Sequence, residues 1–267
     1  MNVSVVILNW NELHIVKHSI DRLIAEPTVT EVVVVENGSN DGSLEYLLSC
    51  KRRAEYSKLS VVATSHNVGS SVGRNMGLAM TTGDFVFLID GDILYVPGTI
   101  EAYKKVYDTF VAEGFDVGCI GYSDHERVRR TGMNGTRELS EAYTKMPSVA
   151  KASKWFPMAW TQYGLFPGDL LREIGFVKTY PFNLPGHGYE DDWLYQEFRS
   201  RGRISVAVDA PLYLHDGHYG LRMLKQLDMP DMGAERQATF ANRWGVNAGW
   251  RETVQWNLAD QVWNVQL

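Results

Sequence analysis

The chain has 267 residues, 45% of them hydrophobic and 22% charged, which is ordinary for a globular protein that buries a substantial core. This length allows one large α/β domain or two small ones. The net charge of −6 and the pI near 5.7 argue against a large basic surface for nucleic acid or anionic membranes.

The sequence also predicts where the protein is found. Cys50 and Cys119 form no metal motif, and we expect both to be buried free thiols, which suits a reducing compartment. No apolar run approaches membrane-spanning length, and the N-terminus has no basic leader with a cleavage pattern. A soluble, cytoplasmic protein is therefore expected.

The first hundred residues alternate between strand and helix patterns. Apolar, β-branched runs predict strands at 3–8, 31–36, 59–63 and 85–89. Helical spacing of apolar residues predicts helices at 12–25, from 41 or 43 onward, and at 70–80. This order predicts an α/β fold with a mostly parallel sheet flanked by helices.

Polar residues follow each of these strands. They occupy positions 9–11, 36–41, 66–67 and 90–92. In parallel sheets ligands collect at the carboxyl ends of the strands, so these segments are expected to form one ligand-binding edge.

The last of these segments is Asp90-Gly91-Asp92, which ends a buried apolar run. Two carboxylates with no basic neighbour in sequence are costly there unless a positive charge lies close. Their oxygens would suit Mg²⁺ or Mn²⁺. An ordinary Asp-Gly-Asp turn is the alternative interpretation.

The second half of the sequence is less regular. Helices are predicted at 99–110, 170–174 and 190–201, and strands at 116–122 and 204–208. The polar stretch 123–154 is predicted to be a mobile surface insertion that carries a basic patch at Arg127, Arg129 and Arg130.

Aromatic residues are concentrated in two parts of this half. The aromatic-rich stretch 155–166 is interpreted as core, with a sugar-stacking platform as the alternative. The tryptophan-rich stretch 219–267 is predicted to be helical, and it could pack on the domain or in a homodimer.

Taken in order, these motifs resemble those of GT-A fold glycosyltransferases, and within that fold the inverting family 2. The resemblance is strong over about 3–100 and sparser over about 160–218. It rests on the following residues: Val5–Asn11, Val35–Ser43, Asn67–Gly69, Gly73–Gly77, Asp90–Asp92, Glu190–Asp191 and His215.

The resemblance implies a division of the chain. Residues 1–98 would form the nucleotide-sugar-binding half. Residues 99–218 would form the acceptor-binding and catalytic half, with the insertion inside it, and 219–267 would be a helical extension.

The resemblance also implies roles on the donor side. Asn9, Asn11, Glu36 and Asn67 would line the site of a nucleoside-diphosphate sugar, and Asp90 would face its ribose. Glu36 stands where the family usually has aspartate, which leaves the donor open, although a UDP-sugar is favoured.

Arg74 resembles the family's nucleotide-side arginine. The alternative interpretation of Arg74 is an ordinary salt bridge on a helix face.

A metal site is implied by the same resemblance. Asp92 would be the main ligand, helped by Asp90 directly or through water, and His215 would be a further ligand. Because imidazole suits Mn²⁺ better than Mg²⁺, Mn²⁺ is the favoured cofactor. His218 is the fallback ligand, and a plain surface histidine is the alternative for His215.

The catalytic base is expected at Asp191, which matches the family's base, with Glu190 orienting it or binding acceptor hydroxyls. Asp192 is the rival base. Acidic residues also favour helix N-termini without any catalytic role, which is the alternative for all three.

The predicted function is therefore a metal-dependent, inverting, non-processive glycosyltransferase. Its acceptor could be a glycan, a lipid-linked sugar, a protein side chain or a modified nucleobase. An inactive module that binds a glycan or a protein is one alternative. A sugar-nucleotidyltransferase is less favoured, because no glycine-rich basic loop follows the first strand.

Overall fold

The computed structural model of the protein describes residues 1–122, 149–154, 159, 161–179, 181–184, 189–209, 213–215, 233–245 and 262–266. The strands are β1 (Val3–Asn9), β2 (Val29–Glu36), β3 (Leu59–Ala63), β4 (Phe85–Asp90), β5 (Ile93–Tyr95), β6 (Val117–Tyr122), β7 (Val149–Lys154), β8 (Tyr163–Pro167), β9 (Ile204–Asp209), β10 (Tyr213–His215) and β11 (Val262–Gln266). The helices are α1 (Leu13–Ala25), α2 (Ser43–Lys51), α3 (Ser70–Leu78), α4 (Thr99–Ala112), α5 (Gly168–Ile174), α6 (Glu190–Ser200) and α7 (Gly233–Trp244).

Nine of the strands in the described residues form one mixed sheet in the order β11-β7-β9-β6-β8-β4-β1-β2-β3. The strands β4, β1, β2 and β3 are mutually parallel, as the alternation of strands and helices predicts. In the second half, β6 and β9 pair in parallel, and β8 runs antiparallel between β4 and β6. The predicted α/β fold, a mostly parallel sheet flanked by helices, is confirmed.

The central strands are buried on both faces, which explains why their sequences are continuous apolar runs rather than alternating ones. Helix α3 covers β1 at very short range. A Cβ atom added at Gly73 would lie 2.6 Å from Leu8 Cδ1, and one added at Gly77 would lie 2.4 Å from Val6 Cγ1. The two glycines therefore permit the close packing that brings α3 to the site edge.

Strand register places the polar strand ends side by side. Asn9 pairs with Glu36 in the β1–β2 ladder, and Leu8 pairs with Asp90 in the β1–β4 ladder. Because the three strands are parallel, their carboxyl ends face the same direction. The predicted ligand-binding edge is therefore formed by adjacent strands.

Strand β8 brings the second half of the chain to the same edge. It pairs with β4, and the backbone N–H of Asp90 donates to the carbonyl of Gln162 at 3.0 Å. The segment just before β8 therefore lies beside the Asp90 motif. A second, two-stranded sheet pairs β5 with β10, with His215 opposite Ile93.

Two sequence-based expectations about secondary structure were wrong for the last residues of each segment. The last part of the predicted mobile insertion 123–154 is strand β7, and the end of the predicted helical extension 219–267 is strand β11. Strand β7 pairs with β9 and β11, so backbone hydrogen bonds hold a segment that has little apolar character. Helix α7 lies within the predicted helical extension. Residues 123–148, with Arg127, Arg129 and Arg130, lie outside the described residues.

Other expectations about burial are confirmed. Cys50 and Cys119 are buried free thiols. Tyr163 and Phe166, within the aromatic-rich stretch, are fully buried core residues, whereas Trp155 lies outside the described part of the chain. None of the helices in the described ranges is long and apolar enough to span a membrane.

Candidate active site

The ends of β1 and β2 are joined by a buried hydrogen-bond network. Asn9 and Glu36 are 0% and 1% exposed. Asn9 Nδ2 donates to Glu36 Oε2 at 2.6 Å, and the backbone N–H of Ser39 donates to Glu36 Oε1 at 2.7 Å. Both oxygens of Glu36 are therefore bonded within the protein, so this carboxylate orders the loop that follows β2.

The same loop is tied to the segment after β1. Asn11 adopts a positive φ of 59°, which asparagine tolerates better than most residues. Its backbone N–H donates to Ser39 Oγ at 2.9 Å, and its Oδ1 accepts from the Asn40 N–H at 2.8 Å. Asp41 accepts from the backbone N–H groups of Leu13 and Ser43, so it holds the starts of two helices.

A third loop joins the network after β3. Asn37 Oδ1 accepts from the Val68 N–H at 3.0 Å, and Asn37 Nδ2 donates to Asn67 Oδ1 at 3.1 Å. Asn67 Oδ1 also accepts from the Gly69 N–H at 2.9 Å. The sequence predicts that a sugar donor would bind at this edge, and we therefore call it the donor edge. It comprises the loops that follow β1, β2 and β3 and the end of β4, with the side chains of Asn9, Asn11, Glu36, Asn37, Asn67 and Asp90.

Arg74 on α3 reaches the end of β4. Its Nη2 donates to Asp90 Oδ1 at 2.7 Å, and its guanidinium lies 5.6 Å from the ring centre of Phe176. Arg74 is only 5% exposed, so it contributes a buried positive charge to the site. This contact supplies the cation that the Asp90 motif lacks in sequence.

The charge of Arg74 is shared with more distant carboxylates. Burial by itself would lower the pKa of Arg74, but the charges of Asp90, Glu190 and Asp191 outweigh it and raise that pKa. One guanidinium therefore interacts with carboxylates from both halves of the chain.

Asp92 lies in the turn after β4 and is half-buried. Gly91 packs closely against β1, since a Cβ atom there would lie 2.8 Å from Asn9 Oδ1. The backbone of His215 pairs with Ile93, the residue that follows Asp92. The fold thus places the backbones of both predicted ligands near each other, whereas His218 lies outside the described residues.

Asp90, Asp92 and His215 are the side chains predicted to bind a divalent cation. Within the described ranges, no group of three or more His, Cys, Asp or Glu side chains is assembled to hold a metal ion. Asp90 Oδ1 is already bonded to Arg74. The carboxylate oxygens suit Mg²⁺ or Mn²⁺ when a bound diphosphate supplies the other oxygens, as is usual for such ions.

Asp191, in the first turn of α6, is held by the segment that precedes β8. Its Oδ1 accepts from the Thr161 N–H at 2.9 Å and from Thr161 Oγ1 at 2.5 Å. Burial of the carboxylate, with a smaller contribution from the charge of Glu190, raises the pKa of Asp191 to about 6, against the hydrogen bonds from Thr161 and the charge of Arg74. This is a suitable pKa for a base near neutral pH.

Glu190 is held from two sides. It is 7% exposed, and its Oε1 accepts hydrogen bonds from Ser70 on α3 and from Arg236 Nη1, the latter at 2.8 Å. Asp192 is 4% exposed, whereas Asp191 keeps more exposed surface. Among the three adjacent acids, Asp191 is therefore the most exposed.

The structure brings most of the predicted site residues to one edge of the sheet, and it adds three that the sequence did not indicate. These are Ser70, Thr161 and Arg236. Ser70 and Thr161 are common polar residues distant in sequence from their partners, so no local pattern marks them. Arg236 had a usable signal, because Phe240 and Trp244 follow it at helical spacing.

Solved structures share this architecture. The mannosyltransferase PcManGT from Pyrobaculum calidifontis, in complex with GDP-Man and Mn²⁺, superposes with a TM-score of 0.58 at 17% identity, over 90% of this chain and 69% of that one. Staphylococcus aureus TarS 1–349 in complex with UDP-GlcNAc gives a TM-score of 0.53 at 17% identity, over 98% of this chain and 76% of that one. The chain therefore has the GT-A fold.

Sequence relatives agree with the fold. The uncharacterised glycosyltransferase YwdF of Bacillus subtilis is 25% identical over 197 residues, which cover 72% of this chain and 65% of the relative. The matches to three other curated relatives span only 34%, 25% and 28% of their lengths. The family model for glycosyl transferase family 2 matches residues 4–165, more than half of the chain. The chain belongs to glycosyl transferase family 2.

Proposed function

We propose that the protein transfers a sugar from a nucleoside-diphosphate sugar to an acceptor hydroxyl, with inversion at the anomeric carbon. The observation that carries this proposal is the contact set of Arg74. It pairs with Asp90 at the donor edge, and its charge also acts on Asp191, the candidate base. A donor-binding group and a base therefore share one site. Family membership supports the same conclusion.

Asp191 is the proposed base. In a single displacement the acceptor oxygen bonds to the anomeric carbon while the bond from that carbon to the diphosphate oxygen breaks. The acceptor's proton moves to the Asp191 carboxylate, and the diphosphate leaves with the bonding electrons. Thr161 fixes one oxygen of Asp191, which directs the other toward the reaction.

The donor edge is the proposed nucleotide site. Asn9, Glu36 and Asn37 use their side chains to hold the three loops together, so the loops are ordered before a ligand arrives. Preorganised loops lose little conformational entropy on binding. Arg74 would add positive charge beside the departing diphosphate.

A divalent cation is part of the proposal. Asp92, with Asp90 and His215, would hold it, and Mn²⁺ is favoured because one donor is imidazole. When bound, the cation would neutralise charge on the leaving diphosphate. The structural neighbour PcManGT is described with Mn²⁺, which supports this choice.

The donor is proposed to be a UDP-sugar, and the acceptor class stays open among those that the sequence allows. The structural neighbours are described with GDP-Man and with UDP-GlcNAc, so their shared fold accommodates both bases. In this chain both oxygens of Glu36 are bonded within the protein. We therefore propose that other groups in the loops of the donor edge contact the nucleobase of the donor.

Calorimetry tests the proposal in its first step. UDP-GlcNAc, GDP-mannose and other donors are titrated with Mn²⁺ and with chelator into the wild type, Asp92→Ala and Asp191→Asn. We expect one donor to bind only with metal, with Asp92→Ala losing that binding and Asp191→Asn keeping it. If no donor binds under any condition, the proposed transferase activity is contradicted. The alternative, a module that binds a glycan or a protein, is then favoured.

A further inference from the structure

Helix α7 contacts the first turn of α6, and both helices lie outside the segment matched by the family model. Three residues of α7, spaced four apart, each contact a different residue in or next to that turn: Arg236, Phe240 and Trp244. This spacing forms one stripe along a helix. The stripe meets residues at and just before the start of α6.

Two aromatic contacts hold the start of α6 in position. Phe240 packs on Tyr189 with ring centres 5.5 Å apart, and Trp244 meets Trp193 edge-on at 5.9 Å. Tyr189 has a positive φ of 66°, an uncommon and strained conformation for a tyrosine. Glu190 and Asp191 directly follow Tyr189, so the backbone conformation of Tyr189 sets the direction of both side chains.

Arg236 makes the polar contact of the stripe. It is 0% exposed, and its Nη1 donates to Glu190 Oε1 at 2.8 Å while its Nη2 donates to the Leu184 carbonyl at 2.9 Å. Its guanidinium also lies 5.2 Å from the ring centre of Phe182. A buried guanidinium needs such a partner, because an unpaired charge in this position is strongly destabilising.

From these contacts we propose that Arg236 is a positioning residue for the acid pair Glu190 and Asp191. It holds the side chain of Glu190 in one position through the hydrogen bond to Oε1, so that Asp191 is left as the base. The proposal rests on the function proposed above. It adds that the C-terminal helix is required to orient the catalytic turn.

The variants separate charge from packing. Arg236→Met removes the charge and the hydrogen bonds, and Arg236→Lys keeps the charge but loses the fork that reaches both Glu190 and Leu184. Because Arg236→Met could leave Glu190 unpaired and unfold the protein, the double variant Glu190→Gln/Arg236→Met removes both charges together. Arg243→Met is the matched control, because Arg243 is an exposed arginine of the same helix. Its guanidinium lies 5.4 Å from the ring centre of Trp244, so this variant also reports whether an arginine contact within α7 matters by itself.

The first readout is hydrolysis of UDP-GlcNAc or GDP-mannose, in which water replaces the acceptor. We expect Arg236→Met to lower kcat about 10²-fold and Arg236→Lys less, since small displacements of a catalytic group have effects of that order. The donor KM should stay within about twofold, because the donor edge is intact. Arg243→Met should match the wild type.

The second readout is independent of activity. Hydrogen exchange of the backbone amides in 189–194 should speed up in Arg236→Met and stay unchanged in Arg243→Met. In the Glu190→Gln background, Arg236→Met should cause little further loss of kcat, because its effect acts through Glu190.

Each outcome decides the proposal. It is overturned if Arg236→Met resembles Arg243→Met in both readouts, or if its full effect on kcat persists in the Glu190→Gln background. If the wild type neither binds nor hydrolyses a donor, the proposed transferase function fails. In that case hydrogen exchange of the backbone amides in 189–194 still decides whether Arg236 orders the start of α6.

Discussion

The donor edge and the acid pair lie in one site but are built by different physical means. At the donor edge, neutral amides and backbone groups from three consecutive loops bond to one another around Glu36. Around Glu190 and Asp191, charged or hydroxyl groups come from α3, from the segment before β8 and from α7. The first region is assembled from the ends of adjacent strands of one sheet, whereas the second draws on helices and a segment from across the chain.

This difference predicts what mutations do. Substitutions in the donor edge should disturb loop order and donor affinity together. Substitutions around the acid pair should change the charge and direction of a base while the donor still binds. Arg74 is the described residue whose charge acts on both regions, so it should affect both properties.

The largest effect is expected from Asp191→Asn. The amide can still accept a hydrogen bond from Thr161 but cannot take a proton, so transfer should fall by about 10³-fold. Donor affinity should be unchanged by calorimetry. If Asp191→Asn retains activity within about tenfold of the wild type, another group is the base, and Asp192 is the first to test.

Arg74→Met should have the next largest effect, about 10²-fold on transfer with weaker donor binding as well. It removes the partner of Asp90, and it also removes a positive charge that lowers the pKa of Asp191. The acid limb of the pH profile should therefore move to higher pH. Arg199→Met, an exposed arginine on α6, serves as the control. An Arg74→Met enzyme with normal donor affinity would contradict the shared role.

The pH dependence separates activity from stability. Because the pKa of Asp191 is raised to about 6, transfer should be full above that pH and fall about tenfold per unit below it. The native state binds this proton more tightly than the unfolded chain, so the contribution of Asp191 to stability falls as pH rises from about 4 to 6.

Thermal unfolding of wild type and Asp191→Asn across this range measures that contribution. The wild type should lose stability relative to the variant as pH rises toward 6, and the difference should be constant above it. A pH-independent difference would show that Asp191 has its ordinary pKa in the folded protein.

The smallest effect is expected at the donor edge. Glu36→Ala leaves the Asn9 amide and the Ser39 N–H without their acceptor, which should cost about 1–3 kcal/mol of unfolding free energy. Donor affinity should fall several-fold while kcat changes little. Glu36→Gln keeps one acceptor and should be milder. If Glu36→Ala leaves stability unchanged but abolishes donor binding, Glu36 contacts the nucleotide directly.

The sequence by itself determined the parallel first half of the fold and most of the donor edge. Short continuous apolar runs such as 85–89, bounded by turn residues, predict buried strands, and their polar ends then meet at one edge. Asp90, Asp92, Glu190 and Asp191 were also marked by sequence, because acids beside strand and helix ends form a recognisable pattern.

Only the tertiary structure decided which partners these acids have. Arg74 meets Asp90 because the glycines of α3 allow close packing on β1, and Thr161 reaches Asp191 because β8 runs antiparallel beside β4. Strands β7 and β11 pair with each other through backbone groups, so side-chain pattern did not reveal this pairing. Contacts between distant segments depend on how elements pack, and a local pattern of residues does not contain that information.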